Sequence, residues 1–270
     1  MCLILFAHRA HPRYRLVLAA NRDEFLDRPT AVASFWKDAP SVLGGRDLSK
    51  GGTWLGVTLD GRWAAITNYR EGVRPDPGQR SRGLLAADYL TAAVDARSYA
   101  TRLEAQLWRY AGFSLLLGDG TGVCCVSNRP PSWQAVAPGV HGLSNHLLDS
   151  DWPKVRKGRV RMSALLELEE DALVAALFDL LSDRRQAADV ELPCTGVDLA
   201  WERTLSASFI VADGYGTRAS TVVLIRADGG IRFEERSFGP GAAEFGRRRF
   251  EPVPPIAEAS PSARAGSPLR

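Results

Sequence analysis

Cys2, immediately after Met1, is the residue whose chemistry is most distinctive. Methionine is trimmed from chains whose second residue is small, so the mature chain is expected to begin with this cysteine. One residue would then carry both a thiol and a free α-amino group. Their unperturbed pKa values, about 8.5 and about 7.7–8.0, let the amine take the thiol's proton near neutral pH. An N-terminal residue that supplies its own base is a known route to an activated nucleophile. A cysteine that merely starts an apolar strand is the plainer alternative.

The elements that would position this thiol are legible around it. Cys2-Leu3-Ile4-Leu5-Phe6-Ala7 is a continuous apolar run, long enough for a buried strand and too short for a membrane span. No basic segment precedes it and no small-residue cleavage site follows, so no export signal is expected. The chain turns at His11-Pro12 and runs through Leu16-Val17-Leu18-Ala19-Ala20 into Asn21-Arg22-Asp23-Glu24. An antiparallel pair would set Cys2 beside that polar cluster. Arg22 would then favour thiolate, and Asp23 would orient the terminal ammonium. A solvated Arg–Asp pair at a strand end is the alternative.

These residues carry a resemblance. Met1-Cys2-Leu3-Ile4, Leu18-Ala19-Ala20-Asn21-Arg22-Asp23-Glu24-Phe25 and Arg28-Pro29 resemble the NRDE family, also called the Transport and Golgi organization 2 family. The likeness continues in Gly45-Arg46-Asp47-Leu48, Gly51-Gly52-Thr53-Trp54-Leu55-Gly56, Thr67-Asn68-Tyr69-Arg70 and Ser81-Arg82-Gly83. It returns in Gly142-Leu143-Ser144-Asn145, Asp151-Trp152-Pro153-Lys154-Val155 and Gly214-Tyr215-Gly216-Thr217-Arg218, and so covers about residues 1–240.

More distantly, the same constellation is similar to N-terminal-cysteine Ntn hydrolases such as cholylglycine hydrolase and penicillin V acylase. That resemblance implies an α+β fold, a four-layer αββα sandwich with two antiparallel sheets. It implies Cys2 as nucleophile and base, with Arg22 and Asp23 in support at a compressed spacing. Asn68 and Asn145 would stabilise an oxyanion or orient substrate, and Arg218 would match a late arginine. Asn21, Glu24, Arg46, Trp54 and Arg70 complete the expected substrate-binding set. The expected partner is a small acyl substrate, an amide or thioester, or a hydrophobic ligand such as heme or acyl-CoA; heme trafficking and acyl-CoA metabolism are roles suggested for the family.

Composition sets the remaining bounds. The chain has 270 residues, 45% hydrophobic and 24% charged, as an ordinary globular protein does. A net charge of +3 argues for neither nucleic acid nor an anionic membrane. Cys2, Cys124, Cys125 and Cys194 form no C-x-x-C, and adjacent Cys124 and Cys125 would face opposite sides of a strand. Reduced thiols and a cytoplasmic setting are expected. The histidines His8, His11, His141 and His146 lack zinc-site spacing, so no metal or cofactor is expected. His8 or His146 as an axial ligand to transient heme is kept as an alternative. The glycine-rich stretch 44–52 matches no phosphate loop and reads as a tight turn near the pocket.

Along the chain, Trp54–Thr58 and Trp63–Thr67 read as a hairpin through Asp60-Gly61. Ser81 is expected to cap a helix, a second helix to lie near 98–109, and Asp151 or Ser150 to cap a third beginning at Pro153. Leu173, Val174, Leu177, Phe178 and Leu181 have amphipathic helical spacing. Strands are expected at 113–118, 123–127, 206–212, 220–226 and 231–237. Arg247-Arg248-Arg249 reads as a solvated run. One domain is expected over 1–250, with a disordered Pro/Ala/Ser-rich tail over 251–270.

Overall fold

In the computed structural model, which describes residues 2–72 and 78–252, the two first apolar runs pair antiparallel. Met1 and almost all of the expected tail lie outside the described residues. In chain order the strands are β1 (Cys2–His11), β2 (Tyr14–Phe25), β3 (Thr30–Phe35), β4 (Val42–Asp47), β5 (Leu55–Thr58), β6 (Trp63–Asn68) and β7 (Phe113–Gly118). They continue with β8 (Val123–Asn128), β9 (Pro131–Ala135), β10 (Gly139–Leu143), β11 (Val211–Ala212), β12 (Tyr215–Arg226), β13 (Ile231–Phe238) and β14 (Glu244–Phe250). The helices are α1 (Gly83–Thr91), α2 (Ala96–Glu104), α3 (Pro153–Leu165), α4 (Glu170–Leu181) and α5 (Leu199–Ser206).

One sheet runs β10-β1-β2-β12-β13-β14, with β11 attached to β12; the other runs β3 through β9 in sequence order. Successive strand residues face opposite sides of a sheet. Ile4, Phe6, Leu16 and Leu18 therefore meet Leu55, Trp63 and Leu116 of the second sheet. The intervening Leu3, Leu5, Val17 and Ala19 pack beneath Val155, Leu173, Leu177 and Phe178 of α3 and α4. Both faces of β1 and β2 are covered, which is why their sequence is continuously apolar rather than alternating. Burying each of the larger side chains, Leu, Ile, Val or Phe, is worth about 1.5–3 kcal/mol. On the far side, Ile66, Leu115, Leu117 and Val126 pack beneath Leu85, Tyr89 and Leu103 of α1 and α2. The result is an α+β fold layered αββα. Cys124 faces the α1–α2 layer and Cys125 the inter-sheet core, as their adjacency required.

Several local expectations are corrected. Arg82, not Ser81, is the N-cap of α1, with no side-chain cap bond; the Ser81 contribution is its carbonyl, which accepts from the Leu84 N–H. Trp152, not Asp151 or Ser150, precedes α3, and Pro153 occupies its first turn. The second helix begins earlier, at Ala96, because the Asp95 carboxylate caps it through the Ser98 N–H at 2.8 Å. The strand expected at 206–212 is the end of α5 and the two-residue β11. The arginine run, by contrast, is solvated as expected: it lies in edge strand β14 with all three side chains exposed, Arg247 and Arg249 pairing with Glu244 and Glu251.

Candidate functional site

The antiparallel register sets Cys2 opposite Arg22, at the end of the sheet where β2 leaves the core. There the two sheets part around a cleft of about 470 Å³. Cys2, Arg22, Asp23 and Glu24 line it from the first sheet, Trp54 and Asn68 from the second. Arg28, Asp47, Lys50, Arg80 and Arg82 add charge to the wall, and Phe25 and Ile66 add apolar surface.

Arg22, 5% exposed, lies over the Trp54 ring at 4.4 Å and donates to the Thr30 hydroxyl at 3.2 Å. Glu24 is 3.6 Å from both Arg22 and Arg28, and Arg28 bonds Asp47 at 2.7 Å. Burial alone would raise the Asp47 pKa, but that bond and the N–H groups of Ser49 and Lys50 hold it below the usual range. Two glycines admit this geometry. A Cβ at Gly45 would stand 2.1 Å from the Trp54 ring, displacing the surface on which Arg22 rests. Gly52, at φ +79°, would drive a Cβ to 2.4 Å from the Gly83 carbonyl oxygen, across the close approach that forms the cleft wall. The expected turn is thus at Gly51-Gly52, while Gly44 and Gly45 belong to β4.

Burial pushes the Cys2 thiol pKa up, and the Asp23 charge adds to it. Among the described residues, the Arg22 guanidinium and the Asp23 backbone N–H pull it down. Asp23 is buried, accepts from the Thr217 hydroxyl at 2.7 Å, and has its pKa raised by burial. Lys154 is the strongest charge opposing that rise. Its ammonium, buried behind the site, donates to the Leu205 carbonyl at 2.8 Å, and burial lowers its pKa to about 8. Nothing local in the sequence announces that α3 brings the Lys154 charge to bear on Asp23 and Cys2.

The two asparagines have different places. Asn68 lines the cleft. Asn145 is fully buried behind it, in the left-handed region at φ 55°, and donates from Nδ2 to the Asn68 carbonyl at 3.0 Å. Its own carbonyl accepts the Arg70 N–H at 2.8 Å, and neighbouring Ser144 donates to the Cys2 carbonyl at 3.0 Å. The segment 144–145 thus fixes the backbone on both sides of the cleft.

The other expected residues serve elsewhere. Asn21 donates to the carbonyls of Leu181 and Ser208 and accepts from Ser220, tying β2 to the helical layer. Arg46 stacks on Trp36 at 4.1 Å and pairs with Asp38. Arg70 forms a buried ion pair with Glu202 at 2.7 Å. Arg218 donates to the carbonyls of Phe25, Leu26 and Arg28, shaping the lip of the cleft without lining it. His8 lies buried toward the far end of β1, and His146 stacks between Tyr69 and Trp152; neither lines the cleft.

These features define an αββα sandwich protein with a cysteine at the floor of a charged cleft. Residues 1–240 match the family model described as Transport and Golgi organisation 2. The chain is 39% identical over 259 residues to the Transport and Golgi organization protein 2 homolog of Bos taurus. It is 37% identical over 257 residues to that of Homo sapiens, each match spanning 88% of this chain and 93% of the relative. The chain belongs to the Transport and Golgi organisation 2 family.

Among solved structures, the C2A mutant of the conjugated bile acid hydrolase from Clostridium perfringens is similar at TM-score 0.48 and 8% identity. That match covers 93% of this chain and 92% of that one. The N-acylethanolamine-hydrolyzing acid amidase ortholog of Caenorhabditis elegans gives 0.47 and 12%, covering 83% and 92%. At these scores the likenesses carry no argument, and the layering rests on this chain's own sheets and helices. Among the described residues, no helix is long and apolar enough to cross a membrane.

Proposed function

We propose that the cleft takes a small acyl compound and that Cys2, once Met1 is removed, attacks its amide or thioester carbonyl. The observation that carries this reading is the pairing of Cys2 with Arg22 on the ladder, where Cys2, Arg22 and Asp23 line the cleft together. In the mature chain the α-amine of Cys2 takes the thiol proton, and Asp23 and Arg22 balance the resulting charges. The thiolate sulfur bonds to the carbonyl carbon, and the carbonyl π electrons move onto oxygen. Asn68, held by Asn145, supplies an amide donor to that oxyanion. Collapse expels the amine or thiol with the proton from the ammonium, and water then resolves the acyl-cysteine. The four cysteines are free, which supports a reducing, cytoplasmic setting.

Cys2→Ala and Cys2→Ser variants test this against a panel of amides and thioesters. The alanine variant loses turnover and the serine variant retains a slower one; full activity of Cys2→Ala would overturn the reading. A second reading is a carrier of heme or acyl-CoA-like ligands that performs no chemistry. The cations lining the cleft favour it, because Lys50, Arg80 and Arg82 are placed to meet a carboxylate or phosphate of such a ligand. A saturable ligand spectrum with no acyl product after long incubation would select the carrier.

A further inference from the structure

We propose that Lys154 is a positioning residue for the acyl reaction assigned to Cys2: from the first turn of α3 it supplies the counter-charge to the buried Asp23 carboxylate. The role rests on the nucleophile reading and extends it into the helical layer. Strand parity sets the arrangement. Along β2, Ala20 packs into the core between the sheets and Ala19 into the core beneath α3 and α4. Side chains alternate, so Arg22 continues the first face, over the Trp54 ring, while Asn21 and Asp23 continue the second. The bonds from Asn21 to the Leu181 and Ser208 carbonyls mark that second face as the helical side.

The helix α3 comes down on the same face of β1 because two glycines leave room for it. A Cβ at Gly158 would stand 2.6 Å from Leu5, and one at Gly142 2.8 Å from Val155. Gly142 is opposite Leu5 in the ladder, whereas Arg159, further along α3, donates to the carbonyl of Val140, opposite Ala7. The helix therefore begins toward the Cys2 end of β1, and Lys154 is in its first turn.

There Lys154 is only 5% exposed. Among the described residues, the Leu205 carbonyl at 2.8 Å is its one hydrogen-bond partner. An ammonium has three donors, and one neutral acceptor does not repay the burial of its charge. Of the charged groups that act on it, Arg70 repels it and is itself neutralised by Glu202 at 2.7 Å. Lys157 and Arg161, on the outer side of α3, are matched by Glu191, Asp179 and Asp183. Asp23 is the foremost attractive charge, followed by Cys2. The dependence is mutual, since Lys154 is the strongest charge keeping a proton off Asp23. Without the lysine, burial favours the neutral acid. A protonated Asp23 no longer balances the ammonium that Cys2 forms when its amine takes the thiol proton, and the thiolate is lost with it.

The first test does not involve the reaction. Carboxyl signals of isotope-labelled aspartates are followed by NMR across pH in the full chain, the Asp23 signal being the one missing from Asp23→Asn. In Lys154→Met its midpoint should rise by about one pH unit or more, and Lys154→Arg should bring it back toward the unaltered value. A lysine that merely ties α3 to Leu205 would leave the midpoint in place, and an unmoved midpoint would overturn the proposal. The second test is turnover of an amide or thioester at pH 7, expected to fall about tenfold or more in Lys154→Met. Asp23→Asn/Lys154→Met should be no slower than Asp23→Asn, because the lysine acts through that carboxylate. Losses that multiply in the double variant would also overturn the role. Failure of the NMR shift strikes the lysine alone; absence of turnover in the unaltered chain strikes the nucleophile reading and this role with it.

Discussion

Cys2 and Arg22 face each other across the β1–β2 ladder, and the Arg22 guanidinium lies over the Trp54 ring at 4.4 Å on the opposite wall of the cleft. Burial raises the thiol pKa, and two adjacent side chains of opposite charge adjust it further. The Asp23 carboxylate raises its pKa and the Arg22 guanidinium lowers it. In Asp23→Asn the thiol pKa should fall, and in Arg22→Met it should rise. The pH dependence of Cys2 alkylation reads both directions; shifts of the same sign in the two variants would contradict the assignment.

Lys154 gives a separate signature in stability. Its pKa is about 8 when folded against 10.5 for an ordinary lysine, because burial disfavours the charged form. Between those values the unfolded chain holds more protons, so stability rises with pH over that window, by an amount of order 3 kcal/mol. Urea midpoints from pH 7 to pH 10.5 should show this gain in the unaltered chain and lack it in Lys154→Met.

Glu235 behaves in the opposite sense. It is buried on β13, accepting from the Ala33 N–H at 2.7 Å and the Thr221 hydroxyl at 3.3 Å, and burial raises its pKa to about 7. Between 4.5 and 7 the folded chain holds the extra proton, so stability falls as pH rises through that interval, by an amount of order 3 kcal/mol. Glu235→Gln should remove this loss. Denaturation midpoints at pH 5 and pH 7.5 check it, and an unchanged difference between them would refute it.

The Arg70–Glu202 pair, 2.7 Å apart with both side chains buried, ties β6's end to α5. Arg70→Met strands a buried carboxylate and should cost about 3–5 kcal/mol. Arg70→Met/Glu202→Leu should recover much of that loss. A double variant no more stable than the single one would show that the pair does more than neutralise charge.

How far the sequence disclosed the site follows from what holds each residue in place. The Cys2–Arg22 neighbourhood was legible because two apolar runs, one short turn and an abrupt polar ending leave little choice of register. The hairpin at Asp60-Gly61 and the amphipathic helix over 170–181 were legible by the same periodic logic. Strands β9 and β14 were not: their side chains are largely exposed, and backbone pairing at a sheet edge defines them. The long charged side chains were hardest. Arg46, Arg70 and Arg218 carry the chemistry expected of anion ligands, yet Trp36, Glu202 and the carbonyls of 25–28 engage them. Arg28, Arg80 and Arg82 line the cleft instead, because the approach of Gly52 to Gly83 brings their segments together. A guanidinium's partner is decided by tertiary contacts that residue type does not encode.

The central claim is that Cys2 is a mature, activated nucleophile, and intact mass before and after a stoichiometric electrophilic thiol probe tests it most directly. The expected result is a chain lacking Met1 that gains one adduct rapidly, mapped to Cys2 ahead of exposed Cys194. Retained Met1, or a Cys2 that reacts no faster than Cys194, would remove the self-activating amine and contradict it.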